Sequence, residues 1–204
     1  MNNFNFIAPV YDFLARLVFF GAIKRSQLAL LSELKSCKEV LIVGGGSGWI
    51  LSALDALQAP MKITYLEKST VMLGMSKNRR PLKYLKVDFV LGDIQELPKV
   101  IYDGVITNYF LDVLSEVELK TTMSLIDTQS SANVKWLCTD FKPAQVWYHR
   151  PLLSIMFLFF KLTAQIGSKQ ILDFDKYFRG LNYNQKMYRH FYNQLIKTAI
   201  YEKN

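Results

Sequence analysis

Chemistry-bearing residues are scarce in this chain. Its 204 residues hold two histidines and two cysteines. His149 and His190 stand alone, and no H-E-x-x-H, C-x-x-C or G-x-S-x-G pattern occurs. Zinc peptidase, zinc-ribbon and hydrolase-elbow chemistry are therefore excluded, and neither a metal site nor a nucleophilic triad is expected. Cys37 and Cys138 lie far apart without metal spacing, which points to a reducing compartment. No apolar run reaches the roughly 18 residues of a membrane span. The nearest, Pro151 to Phe160, is interrupted by Lys161. The opening MNNFNFIAPV lacks the basic flank and long apolar core of a signal peptide, so a cytoplasmic protein is expected. Repeats, linkers and low-complexity segments are absent as well.

Acidic residues are outnumbered, 17 against 25 lysines and arginines, for a formal charge of +8. That balance permits an anionic partner such as RNA or a membrane surface, and it equally suits a basic soluble enzyme. The basic group Lys77, Arg79, Arg80, Lys83 and Lys86 reads as a solvated face, with no aromatic binding platform nearby, so nucleic acid is not the expected partner.

Half of the residues are hydrophobic, enough for a globular core. The most informative stretch is EVLIVGGGSGWIL, Glu39 to Leu51. An apolar run meets four glycines within five residues, and a helical pattern starts at Trp49. Glycine leaves bare backbone for a ligand to lie against, and a helix start offers N–H groups and partial positive charge. Around it, apolar runs alternate with helical patterns. Strands are expected at Val40–Val43, Lys62–Leu66, Val87–Leu91, Gly104–Thr107 and Val134–Thr139. Helices are expected at Trp49–Leu57, with Leu51 and Leu54 inward, and at Thr70–Asn78 behind an N-cap at Ser69 or Thr70. The capping box Ser115 to Glu118 starts another helix. Near the end, a short helix at Asp173–Phe178 closes at Gly180. Two β-prone runs follow, Gln185–Phe191 and Leu195–Tyr201, joined by a return at Asn193-Gln194.

This order predicts an α/β fold, a doubly wound, mostly parallel seven-stranded sheet with an antiparallel C-terminal edge. One domain over 1–204 is expected. It comprises an N-terminal helical cap (1–36), a core (37–140), and a lid helix with C-terminal strands (141–204). The cap carries an amphipathic stripe over Val10–Phe20 and a second helical pattern at Leu28, Leu31 and Leu34. Ligands of such sheets bind at the carboxyl ends of the strands, which here carry Gly44 to Gly48, Glu67, Asp93, Asn108 and Asp140.

Glu67, about twenty residues beyond the glycine turn, suits the hydroxyls of a ribose. Nicotinamide enzymes share that geometry, but their G-x-G-x-x-G fingerprint needs glycine or alanine at position 49, where this chain has Trp49. Asp93 suits an exocyclic amine of adenine, with Ile94 as an apolar contact; the alternative is an ordinary loop aspartate. Asn108 can hydrogen-bond a ligand. Tyr109 and Phe110 either wall a pocket or pack in the core.

With those residues in place, the chain resembles class I S-adenosylmethionine-dependent methyltransferases over most of its length. VLIVGGGSG is similar to the family's first motif, YLEKSTVML to the second, FVLGDIQELP to the third and YDGVITNYFLDVLS to the fourth. The N-terminal FNFIAPVYDFLARLVFFG resembles the opening of ubiquinone/menaquinone C-methyltransferases. The resemblance implies S-adenosylmethionine as cofactor and S-adenosylhomocysteine as product. It implies cofactor contacts from Tyr11, Gly44, Gly45, Gly46, Gly48, Glu67, Lys68, Met72, Asp93, Ile94, Asn108 and Tyr109. Two positions depart from the pattern. Ile42 stands where many relatives carry an acid, and Asp112-Val113 stands where the quinone-type relatives often carry His-His. Asp112 and Asp140 are the candidate general bases.

The implied acceptor is a small, hydrophobic or lipid-like molecule, held by the N-terminal helix and by Trp147, Tyr148 and the run Leu152–Phe160. That run is alternatively a buried helix or a homodimer contact, and flanked by Arg150 and Lys161 it also suits a peripheral membrane contact. Two further readings stand beside methyl transfer: a nicotinamide-dependent oxidoreductase, and a non-catalytic protein that keeps the fold to bind cofactor or a partner.

Overall fold

The computed structural model describes residues 21–79, 81–143 and 172–203. The Val10–Phe20 stripe, Tyr11, Trp147, Tyr148 and the run Leu152–Phe160 lie outside the described residues.

Seven strands form one sheet: β1 (Glu39–Val43), β2 (Met61–Glu67), β3 (Leu85–Leu91), β4 (Tyr102–Asn108), β5 (Ser130–Phe141), β6 (Tyr183–Phe191) and β7 (Ile196–Lys203). Their spatial order is β3-β2-β1-β4-β5-β7-β6. β1 to β5 are mutually parallel, while β7 runs antiparallel to both β5 and β6. The expected fold class is therefore observed. The expected strands are recovered and most extend by one or more residues, because pairing with a neighbour continues past the end of an apolar run.

Alternation along β1 sorts the core into two layers. Leu41 and Val43 join Leu119, Met123, Ile126 and Phe178 on one face. Val40 and Ile42 join Leu34, Leu51, Leu54 and Leu73 on the other. The second layer is roofed by α2 (Trp49–Asp55) and α3 (Thr70–Lys77), the first by α4 (Glu116–Thr128) and α5 (Phe174–Gly180). Helices on both faces are what a parallel sheet requires, since neither face can meet water. The caps follow their sequence signatures. Ser69 accepts from the Met72 N–H, Ser115 and Glu118 complete a capping box, and Asp173 accepts from the Asp175 N–H.

One expectation fails before β1. Leu28, Leu31 and Leu34 do not share one α-helix. α1 (Ala22–Leu28) ends at Leu28, which is 40% exposed, and a 3₁₀ turn follows over Leu31–Ser36 with Leu31 and Leu34 buried. A strict spacing of three is the 3₁₀ period, in which side chains eclipse, so the pattern pointed to the tighter helix. At the other end, Tyr192, Asn193 and Gln194 all take positive φ, at 49°, 50° and 70°, and turn β6 back into β7.

Strand order reverses between β1 and β4, which puts the crevice of this sheet at their carboxyl ends. The glycine turn leaves β1 there, and Asn108 ends β4. Among the described residues, no helix is long and apolar enough to cross a membrane.

Candidate functional site

The turn after β1 is built from left-handed glycines. Gly44, Gly46 and Gly48 have φ of 64°, 64° and 78°, a region that costs a side chain roughly 1–2 kcal/mol. Their surroundings differ. A Cβ on Gly44 would stand 2.6 Å from the Phe110 ring, one on Gly45 2.1 Å from the Tyr65 ring, and one on Gly48 2.5 Å from Ser76 Cβ. A Cβ on Gly46 meets no described residue within 4 Å. Gly46 is thus the open face of the turn. Gly48 supplies a close backbone approach toward α3, which moves the tight packing one residue before Trp49.

Glu67 reaches this turn from the end of β2. Its Oε2 accepts from the Gly46 N–H at 2.8 Å and its Oε1 from the Ser69 N–H at 2.8 Å. A carboxylate has about four lone-pair sites, so the two backbone donors fix its orientation and leave capacity for further donors. Tyr65, two residues earlier on the same strand face, donates its hydroxyl to the Gly46 carbonyl at 2.8 Å. Arg79 donates Nε to the Ser47 carbonyl at 2.8 Å and Nη2 to the Ser47 hydroxyl at 3.2 Å. Arg79 therefore does not belong to the solvated face read from the sequence. Lys77 and Lys83 lie over the Phe89 and Tyr84 rings, at 5.8 and 5.2 Å.

Further along the crevice, Lys68 Nζ lies 2.9 Å from Asp93 Oδ2, and the Ile94 N–H donates to Asp93 Oδ1 at 2.8 Å. Lys68 beside Asp93 holds its carboxyl below the usual range. Ile94 is buried in the core under the short turn Ile94–Glu96, and Met72 is half-buried on α3. Asn108 donates Nδ2 to Gln27 of α1 at 3.5 Å, and its Oδ1 is buried without a partner among the described residues. Tyr109, left-handed at φ 52°, shares a 2.7 Å hydrogen bond with Ser26 and packs 5.1 Å from the Phe141 ring. Thr198 also donates to the Ser26 carbonyl, and Lys24 lies 5.7 Å from the Trp49 ring. α1 is thereby docked over the ends of β4 and β7 and beside the glycine turn.

The two candidate bases come together. Asp112, in the turn Leu111–Val113, hydrogen-bonds through its side chain to Asp140, and both are buried. Asp140 also accepts from the Leu111 and Phe141 N–H groups, at 3.0 and 3.1 Å, while Asp112 Oδ1 has no partner among the described residues. Burial pushes Asp112 up to about 6; burial and the adjacent Asp112 charge push Asp140 well above the carboxylate range. Two carboxyls in contact, with no cation between them among the described residues, hold one proton in common.

Asp140 also lines a cleft at the carboxyl end of β5, with Lys142, Asp175, Lys197 and Tyr201. There Lys197 Nζ lies 2.6 Å from Asp175, and Tyr201 donates to the same carboxylate. Burial pushes Asp175 up, but the hydrogen bonds from Lys197 and Tyr201 outweigh it and hold Asp175 below the usual range. Both cysteines are buried thiols. Burial, then the neighbouring Asp103, raises Cys37 to about 11. Among the described residues no three histidine, cysteine or acidic side chains gather as a metal site.

Sequence reasoning missed Tyr65, Arg79, Ser26 and Gln27. Each acts on the site through a partner at least 19 positions away, which no local pattern reveals.

No protein-family model matches the sequence, and no curated protein does. Solved structures do share the fold. One is a chain of the complex between the Haloferax volcanii Trm112 methyltransferase activator and a candidate methyltransferase, at TM-score 0.73 and 13% identity, covering 99% of this chain and 98% of that one. Another is DhpI, solved with SAM and HEP, at TM-score 0.69 and 15% identity, covering 97% and 93%. The mitomycin 7-O-methyltransferase MmcR aligns at TM-score 0.62 and 13% identity over 90% of this chain, which spans 54% of its length. The fold is one shared with solved S-adenosylmethionine-dependent methyltransferases.

Proposed function

We propose that this chain transfers the methyl group of S-adenosylmethionine to a small, apolar or lipid-like acceptor. The observation that carries this reading is the contact between Glu67 and Gly46. It joins the ends of β1 and β2 beside the switch point and leaves the Gly46 side of the turn open. In this reading Gly44, Gly45, Gly46 and Gly48 cradle the methionine end and Glu67 takes the ribose hydroxyls. Lys68, Met72, Asp93 and Ile94 border the adenine. Asn108 and Tyr109 close the cradle from β4, and Tyr11 completes it.

When bound, the sulfonium supplies an electrophilic methyl, so the protein's work is alignment and, for some acceptors, proton removal. The cleft at the end of β5 is the acceptor's place in this reading. An acceptor atom that must lose a proton finds the Asp112–Asp140 pair, which already shares one proton and has capacity for a second.

The test is ligand stabilisation. S-Adenosylhomocysteine at a hundredfold its dissociation constant raises stability by about 2.7 kcal/mol, read as a higher melting temperature. Glu67→Ala is expected to abolish the rise. Stabilisation by NAD alone sinks the reading.

A second reading is favoured by Ile42, which is 2% exposed in the core, so that β1 offers no acid to the turn. It is a non-catalytic protein that binds cofactor or a protein partner, and the Trm112 complex among the structural neighbours is compatible with the partner-binding form. No shift with S-adenosylmethionine, S-adenosylhomocysteine or NAD selects it.

A further inference from the structure

Four consecutive residues of the glycine turn, 45 to 48, are gripped by the β2–α3 unit and not by β1. Gly45 lies against the Tyr65 ring, and Gly48 lies against Ser76. Between them, Gly46 accepts from the Tyr65 hydroxyl and donates to Glu67, while Arg79 holds both oxygens of Ser47. β1 contributes only apolar side chains beneath the turn, because Ile42 and Val43 are both buried. A segment with three left-handed residues in five has many alternative conformations, and each of these polar contacts excludes some of them.

We propose that Tyr65 and Arg79 are positioning residues for the cofactor: they fix the peptide planes of Gly46 and Ser47, so that the open side of the turn is shaped before a ligand arrives. The inference rests on the S-adenosylmethionine reading. Its physical content is preorganisation. A turn already held in its bound form does not spend binding free energy on ordering, and a turn released from its holders does. Tyr65 is fully buried, and its ring fills the space that the missing Cβ of Gly45 leaves. Removing only its hydroxyl therefore preserves the packing and deletes its hydrogen bonds to the Gly46 carbonyl, the Gly48 backbone and Ser76. Arg79 grips through two nitrogens in a fixed fork, a geometry that lysine cannot reproduce.

The experiment uses the full chain and S-adenosylhomocysteine. Titration calorimetry gives the dissociation constant, amide hydrogen exchange gives protection at Gly46 and Ser47, and the melting temperature is read without ligand. Tyr65→Phe is expected to weaken S-adenosylhomocysteine by about 5-fold and Arg79→Met by about 10-fold, the range of one or two lost hydrogen bonds. Arg79→Lys is expected to recover only part of the loss. Exchange at Gly46 and Ser47 accelerates in each variant, while β-strand amides and the ligand-free melting temperature stay near the parent values. Should Arg79→Met fail to fold, Tyr65→Phe and Arg79→Lys carry the same comparison. Faster exchange with affinity within 2-fold of the parent makes the grip purely structural and overturns the proposal. A parent chain that does not bind S-adenosylhomocysteine overturns the cofactor reading and this inference with it.

Discussion

On the β2 side of the switch point, Glu67 holds two backbone N–H groups, Asp93 is paired with Lys68, and Tyr65 and Arg79 complete the hydrogen bonding of the glycine turn. On the β5 side, two carboxyls press together in the core, and the buried oxygens Asn108 Oδ1, Asp112 Oδ1 and Thr139 Oγ1 have no partner. The first side is finished without a ligand. The second is left with groups whose burial is costly and whose partners are absent from the described protein. In a methyl-transfer reading the division is sensible: one cofactor needs a rigid cradle, whereas an acceptor that must be aligned, deprotonated and released needs polar capacity held in reserve.

The sharpest way to break this comparison is to fill the turn. Gly45→Ala places a methyl 2.1 Å from the Tyr65 ring, so a loss of about 3 kcal/mol or more is expected from chemical denaturation. Gly46→Ala, with open space around it, is expected to cost only about 1–2 kcal/mol for its left-handed backbone. Equal losses at the two positions contradict a turn packed on one side and open on the other.

Next in size is the pH response of the β5 side. Asp112 is raised from 3.8 to about 6 by burial, so the folded chain holds a proton that the unfolded chain releases earlier. Its contribution to stability is fully present below about pH 3.8 and is lost as pH rises through about 6. Asp112→Asn is expected to flatten that decline in denaturation curves taken between pH 4 and 7. An unchanged slope removes the second proton of the pair from the account.

Smaller effects separate buried from exposed pairs. Lys197 is 10% exposed and its partner Asp175 25%, so Lys197→Met is expected to cost roughly 2 kcal/mol by leaving a carboxylate half-solvated. Lys68 and Asp93 are 66% and 56% exposed, and Lys68→Ala is expected to change stability by less than about 1 kcal/mol. The smaller of these losses belongs on the cofactor side. The reverse order would mean that the exposed pair, and not the buried one, supports the crevice.

Much of this was legible in the sequence for a physical reason. Parallel strands buried on both faces are continuous apolar runs, and their polar ends mark where the core stops. Val40–Val43 ending at Gly44, and Leu66 followed by Glu67, therefore located the crevice directly. Capping chemistry is local too, which is why Ser69 and Ser115 were readable. What was not legible depends on side chains meeting across the sheet. Asp112 and Asp140 are 28 positions apart and each was a separate candidate; only the register of β4 against β5 brings them together. The role of Arg79 was hidden for the same reason, because a basic residue near the end of a helix is normally a solvated one. Leu28 misled because three leucines at equal spacing fit two kinds of helix.

The placement of β7 between β5 and β6 has a consequence during synthesis. β5 carries Trp136, Leu137 and Cys138 in its buried centre, and one edge of that centre is covered only by Ala199, Ile200 and Tyr201 of β7. Because β7 emerges from the ribosome after every other described element, β5 stays an open apolar edge, able to pair with the wrong strand, from its own synthesis until β7 follows. A nascent chain arrested before Ile196 is therefore expected to depend on chaperones, and pairing of β7 with β5 is the step that makes it self-sufficient.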